Sequence, residues 1–171
     1  MYGFKIAFVK RHKFSLVGFL IQFIESINVM ILEKRFYWLP FFHVAFYDEH
    51  LGIWFNADLM RIEKMTDKQF NENYKVVKNY DFNYIVPPNA RDWLLDQTGR
   101  IYSIRAIFVI LKKIFRGWIG RKTHSFVNGD QSYICTELVL KSVNRCGFVL
   151  TTDEIEISTI YETNQIIDRL N

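Results

Sequence analysis

Along Gly3-Phe4-Lys5-Ile6-Ala7-Phe8-Val9-Lys10 the chain carries a large apolar side chain at every second position, the period of a strand. After the basic turn Lys10-Arg11-His12-Lys13 the period changes. Leu16, Phe19, Leu20, Phe23, Ile24 and Ile27 recur at spacings of three and four, which predicts a helix with Ser15 as its N-cap. The whole run from Phe14 to Leu32 is apolar, but Gln22, Glu25 and Asn28 interrupt it. A carboxylate near the centre of a membrane span costs ~2.5–3.5 kcal/mol on insertion scales, so a buried helix of a globular domain is expected here, neither signal peptide nor anchor.

Beyond the charged connection Glu33-Lys34-Arg35 and the break at Pro40, two strand-like runs flank a turn at Asp48-Glu49-His50. They are Phe41-Phe42-His43-Val44-Ala45-Phe46-Tyr47 and Ile53-Trp54-Phe55-Asn56-Ala57, a hairpin pattern. Further strands are expected at Met60 to Lys64 and Tyr80 to Val86, on either side of a short helix that Thr66 or Asp67 caps. Pro87-Pro88 closes this strand-rich half. Helices are then expected from Asn89 to Gln97, ending at Thr98-Gly99, and from Ile101 to Trp118. The segment from Arg116 to Gln131 holds three of the eight glycines and reads as a mobile basic loop. An extended approach, Ser132-Tyr133-Ile134, turns into a helix at Cys135 that ends at Cys146-Gly147, and a last helix runs near Tyr161 to Leu170.

Composition narrows the classes. With 171 residues, 50% hydrophobic and 17% aromatic, the chain reads as one folded α+β domain over 1–171. Its net charge of +4 and pI near 9.0 are mild for a nucleic-acid binder, and no Gly-rich phosphate loop is present. Cys135 and Cys146 are 11 residues apart on one expected helix, roughly 16 Å, beyond the ~7 Å that a disulfide spans. That favours a reducing compartment, cytoplasmic or within a virion. Without His-Glu-x-x-His or Cys-x-x-Cys, neither a metal nor another cofactor is expected.

The chemistry centres on Cys135. A thiol at a helix start meets the positive end of the macrodipole and the backbone N–H groups there, both of which favour the nucleophilic thiolate. His43 on one hairpin strand and Asn56 on the next supply a base and a group to orient it, in the order His, Asn, Cys. Glu137, one turn into the helix, opposes the thiolate. His50, at a turn with Asp48 and Glu49, reads as a solvated turn residue, and His124 in the basic loop has no partner in the sequence. Lys112, Lys113, Arg116, Arg121 and Lys122 read first as a solvated face, and otherwise as a surface for phosphates, anionic head groups or acidic cell-wall polymers.

His43-Val44-Ala45, Asn56-Ala57 and Cys135-Thr136-Glu137-Leu138, together with Gly99-Arg100-Ile101-Tyr102, resemble the circularly permuted papain-like cysteine hydrolases. That family is related to NlpC-type cell-wall peptidases, to bacterial YiiX- and YaeF-like proteins and to lecithin retinol acyltransferase. There a histidine strand comes first, a polar residue on the next strand follows, and a cysteine opens a helix. Many relatives carry a carboxylate or a second histidine where Asn56 stands, and an aspartate where Ser103 follows the tyrosine. The resemblance covers roughly residues 4 to 148. It implies a papain-like α+β fold, an antiparallel sheet packed on the nucleophile-bearing helix, with Cys135, His43 and Asn56 catalytic and Tyr102 lining the substrate site. It also implies thiol-dependent acyl transfer on an amide or ester, a peptidoglycan peptide bond or a lipid acyl group. The alternative is a non-catalytic structural or interaction protein, such as a phage virion component that keeps the fold and binds other virion proteins.

Overall fold

The computed structural model describes residues 3–57, 61–102, 112, 114–115 and 132–171. Five strands form one antiparallel sheet in the order β4-β3-β2-β1-β5: β1 (Phe4–Arg11), β2 (His43–Asp48), β3 (Ile53–Ala57), β4 (Ile62–Thr66) and β5 (Tyr74–Phe82). The helices are α1 (Leu16–Glu33), α2 (Asp67–Asn73), α3 (Pro88–Gln97), α4 (Cys135–Arg145), α5 (Thr152–Ile157) and α6 (Ile160–Leu170). Two short strands, β6 (Ile101–Tyr102) and β7 (Ser132–Tyr133), pair in parallel apart from the main sheet. The chain is thus α+β with a five-stranded antiparallel sheet.

The period-two pattern of β1 explains its central place, because both faces of this strand are covered. Phe4, Ile6 and Phe8 enter the larger core with Val44, Phe46, Phe55 and the inner face of α4, Leu138, Val139 and Val143. Ala7 and Val9 point the other way, into a smaller core with Ala45, Trp54, Phe70 and Tyr74. There α2 closes the sheet, with Phe70 stacked on Trp54 at 4.0 Å between ring centroids. Helix α2 begins where Thr66 and Gln69 form a reciprocal capping box.

The β2–β3 hairpin turns tightly at Asp48, whose carboxylate accepts the His50 N–H at 2.9 Å and the Arg91 Nε–H at 2.7 Å. Gly52 there takes a positive φ of 65°, a conformation that needs no Cβ. Asp48 is fully buried, so this ion pair fastens the hairpin to α3.

Two expectations are corrected. Strand β5 runs over Tyr74–Phe82 instead of Tyr80 to Val86, since its pairing with β1 begins at Arg11↔Tyr74. Helix α1 forms, with Ser15 Oγ accepting the Gly18 N–H at 3.1 Å, but its apolar stripe is not buried. Leu16, Phe19, Leu20 and Phe23 are exposed, and the inward face is largely polar, with Glu25, Ser26 and Asn28 buried beside Val29. The reason lies in what that face meets. Gly18 sits against the Phe42 ring, where a Cβ would come within 2.7 Å. Gln22 bonds the Leu39 carbonyl, Ser26 Oγ accepts the Leu39 N–H at 2.9 Å, and Glu25 accepts the Ile160 N–H at 3.2 Å. Backbone groups at both packing points select polar side chains, so the apolar stripe turns outward.

The Glu25 carboxyl is pushed up to about 7, first by burial and then by the nearby Glu162, against the lowering effect of the Ile160 N–H. Between its ordinary 4.5 and about 7 the folded chain keeps a proton that the unfolded chain gives up. The stabilisation is therefore complete below 4.5 and lost as pH rises through 7. Glu25→Gln keeps the acceptor and removes the titration. Thermal denaturation should show wild type losing stability relative to Glu25→Gln between pH 5 and 8, by roughly 3 kcal/mol. Parallel curves for the two proteins would remove the assignment.

Among the described residues no helix is long and apolar enough to cross a membrane. Of the helix expected at Ile101 to Trp118, residues 101–102 form β6, Lys112, Ile114 and Phe115 are helical, and the rest lies outside the described residues. The basic loop at 116–131 lies outside them too, as do Lys113, Arg116, Arg121, Lys122 and His124; Lys112 is exposed.

Candidate functional site

The site forms at the end of the main sheet where β1 and β3 finish and β2 and β5 begin. His43 opens β2 and pairs with Val9 of β1, while Tyr74 opens β5 and pairs with Arg11. On β3, Phe55 pairs with Phe46 of β2. Continuing that register by one pair sets Asn56 across from Ala45, so His43 and Asn56 rise on the same face as diagonal neighbours, within reach of longer side chains.

The side chains meet accordingly. His43 Nε2 contacts Asn56 Oδ1, Asn56 Nδ2 donates to Tyr74 Oη at 3.1 Å, and the His43 and Tyr74 rings stack with centroids 5.6 Å apart. His43 is 7% exposed and Asn56 fully buried, so the bond between them is shielded from water. An amide oxygen only accepts, which makes Nε2 the protonated ring nitrogen and leaves the lone pair of a neutral imidazole on Nδ1. Tyr74 fixes which way the amide faces by taking its N–H. The Arg11 guanidinium lies 5.7 Å over the Tyr74 ring.

Cys135 reaches this place from the other core. Strand β7 pairs with β6, Tyr133 opposite Tyr102, and β6 is held to the edge of β4 by Gly99 N–H to Ile62 O at 2.8 Å and Ile62 N–H to Arg100 O at 2.9 Å. Ile134 then N-caps α4 without any side-chain cap on the first turn. Helix α4 packs across β2, burying Cys135 with Leu138 and Val139, and stops at Gly147 with a φ of 100°. Glu137 in its first turn is buried and pairs with Lys141 Nζ at 2.9 Å, which offsets part of its charge near the thiol.

One small cleft is lined by His43, Cys135, Arg11, Tyr74, Ala57 and the α1 residues Ser15, Gly18 and Ile21, among others. Its volume of about 40 Å³ exceeds the ~10–15 Å³ that a water molecule needs on that measure, enough for a reacting carbonyl group or a water. The described residues thus bring His43 and Asn56 into direct contact and put Cys135 on the same cleft. Tyr102 enters through its backbone as β6; its side chain lies outside the described part. Among the described residues no group of three His, Cys, Asp or Glu could hold a metal ion.

Compared with protein-family models, curated proteins and solved structures, the chain matched none. Function is therefore read from the site itself.

Tyr74 is the one member of the arrangement that sequence reasoning missed. It lies just beyond α2 with no motif around it, and only the pairing of β5 with Arg11 brings it to Asn56. The second cysteine differs sharply from the first in setting. Cys146 sits at the C-terminal end of α4, and burial pushes its thiol up to about 12.

Proposed function

We propose that this chain is a cysteine hydrolase or acyltransferase of papain-like, permuted NlpC-type architecture, acting on an amide or ester such as a peptidoglycan peptide bond. The observation that carries the reading is the buried His43–Asn56–Tyr74 chain opening on the cleft that Cys135 also lines. In the first step His43 Nδ1 takes the Cys135 proton while Asn56 Oδ1 holds Nε2–H and steadies the imidazolium. The thiolate attacks the carbonyl carbon, and backbone N–H groups at the start of α4 hold the oxyanion. As the C–N or C–O bond breaks, the leaving amine or alcohol takes the proton from His43, and the acyl group remains on Sγ as a thioester. Water or an acyl acceptor, deprotonated by His43, then attacks the thioester, releases the acyl product and restores the thiol.

Alkylation separates this reading from a non-catalytic scaffold. At pH 6 to 7 iodoacetamide should label Cys135 at least tenfold faster than Cys146. Both thiols are removed from solvent, Cys135 the more so, but the helix N-terminus and His43 favour the Cys135 thiolate, whereas Cys146 stands at the C-terminal end of α4, raised by burial and further by Asp48. The expected acceleration is moderate because Glu137 opposes it. Equal, sluggish labelling of both cysteines in the folded chain is the scaffold's signature.

A further inference from the structure

Helix α1 turns Gly18, Glu25, Ser26, Asn28 and Val29 toward the protein and an apolar stripe toward solvent. On its outward side Leu16, Phe19, Leu20, Phe23, Met30 and Ile31 repeat at helical spacing with exposures from 38% to 71%. The stripe does not stop at the helix. Phe14 contacts Phe19 at 6.1 Å between centroids, Phe19 contacts Phe23 at 6.4 Å and Trp38 at 6.1 Å, so the rings form one continuous exposed surface. Isolated exposed apolar residues are ordinary, but a connected patch of this kind marks an interaction surface.

Charge identifies the partner. Residues 10–47, which hold α1 and its flanks, carry five lysines and arginines, Lys10, Arg11, Lys13, Lys34 and Arg35, against the two carboxylates Glu25 and Glu33. Of the two carboxylates Glu25 is buried; Glu33 is exposed and keeps its charge while accepting the Tyr161 hydroxyl, and the cations around it leave the segment basic. Exposed Lys10 and Lys13 precede the stripe, and exposed Lys34 and Arg35 follow it. We infer that α1 and the aromatic residues beside it dock in the interface of an anionic lipid bilayer, with the helix lying in the membrane plane. An apolar face framed by cations and interfacial aromatics has the chemistry of such helices. At 18 residues the helix is ~27 Å long, below the ~30 Å of a hydrocarbon core, and Glu25 near its middle excludes a crossing. The inference is independent of the thiol chemistry. Since Ser15, Gly18 and Ile21 of the same helix line the cleft, docking brings the cleft to the membrane surface.

The test is flotation of the full chain with liposomes of phosphatidylcholine alone or mixed equally with phosphatidylglycerol. Binding is expected to the anionic vesicles, at least tenfold weaker to neutral ones, and to fall as salt rises. Leu16→Glu with Leu20→Glu should abolish it, and Lys34→Glu with Arg35→Glu should reduce it at least tenfold. The second pair is fully on the surface, so it keeps the test valid if the first fails to fold. Absence of binding by the folded wild type would overturn the inference. So would a dimer in sedimentation that the Leu16/Leu20 variant dissociates, for the stripe would then face a second copy.

Discussion

His43→Ala is expected to slow acylation of Cys135 by an activated ester between ~10²- and ~10⁴-fold, the range that a positioned base supplies. The ring is the group on the cleft whose proton inventory is set by its surroundings: Asn56 Oδ1 holds Nε2–H, and Tyr74 holds the amide. On the proposed mechanism, removing it leaves the thiol without its proton acceptor and the thiolate without its counter-charge. The fold should survive. Loss of the His43 contact leaves one buried amide oxygen unsatisfied, about 1–3 kcal/mol against a total of ~5–15 kcal/mol, and circular dichroism would verify it. Asn56→Ala keeps the ring but releases its tautomer and orientation, so its rate should lie between wild type and His43→Ala. A wild-type acylation rate in His43→Ala would remove the histidine from the mechanism.

The largest effect on stability is expected at Asp48, far from the thiol but on the strand that begins with His43. Its carboxylate is wholly inside, accepting Arg91 Nε–H at 2.7 Å and the His50 N–H at 2.9 Å. Asp48→Ala leaves a mostly buried guanidinium without its counter-ion, a change that costs ~3–5 kcal/mol. For a chain of this size that corresponds to a fall in melting temperature of roughly 10–15 °C. Asp48→Asn retains an acceptor for the His50 N–H and should fall about half as far. Calorimetry at pH 7 gives the comparison; a shift of less than ~3 °C for Asp48→Ala would mean the pair contributes little to holding the hairpin.

Local chemistry is where the sequence was most readable. The alternation of β1, the Ser15 cap, the short helix after Thr66, the end of α3 at Gly99 and the end of α4 at Gly147 all follow from residues within a turn of the feature they set. The hairpin that joins His43 to Asn56 was readable for the same reason: its turn lies between them. Helix α5 was missed although its signal was present, since Thr151 and Glu154 form the same capping box as Thr159 and Glu162 in α6. What was not readable depends on contacts distant in sequence. Tyr74 reaches Asn56 only through the β1–β5 pairing. The direction of the α1 stripe is set by the backbone at Leu39 and Ile160, and a periodic pattern defines a face without saying which way it looks.

The central claim, that Cys135 is an acyl-accepting nucleophile served by His43, is tested most directly by capturing the thioester. Folded wild-type protein mixed at pH 7 with a nitrophenyl ester of a short acyl chain, quenched in acid and mapped by mass spectrometry, should carry one acyl group, on Cys135. Cys146 should stay unmodified, and the adduct should disappear on longer incubation as water releases it. No adduct on Cys135, or acylation spread evenly over Cys135 and Cys146, would contradict the account.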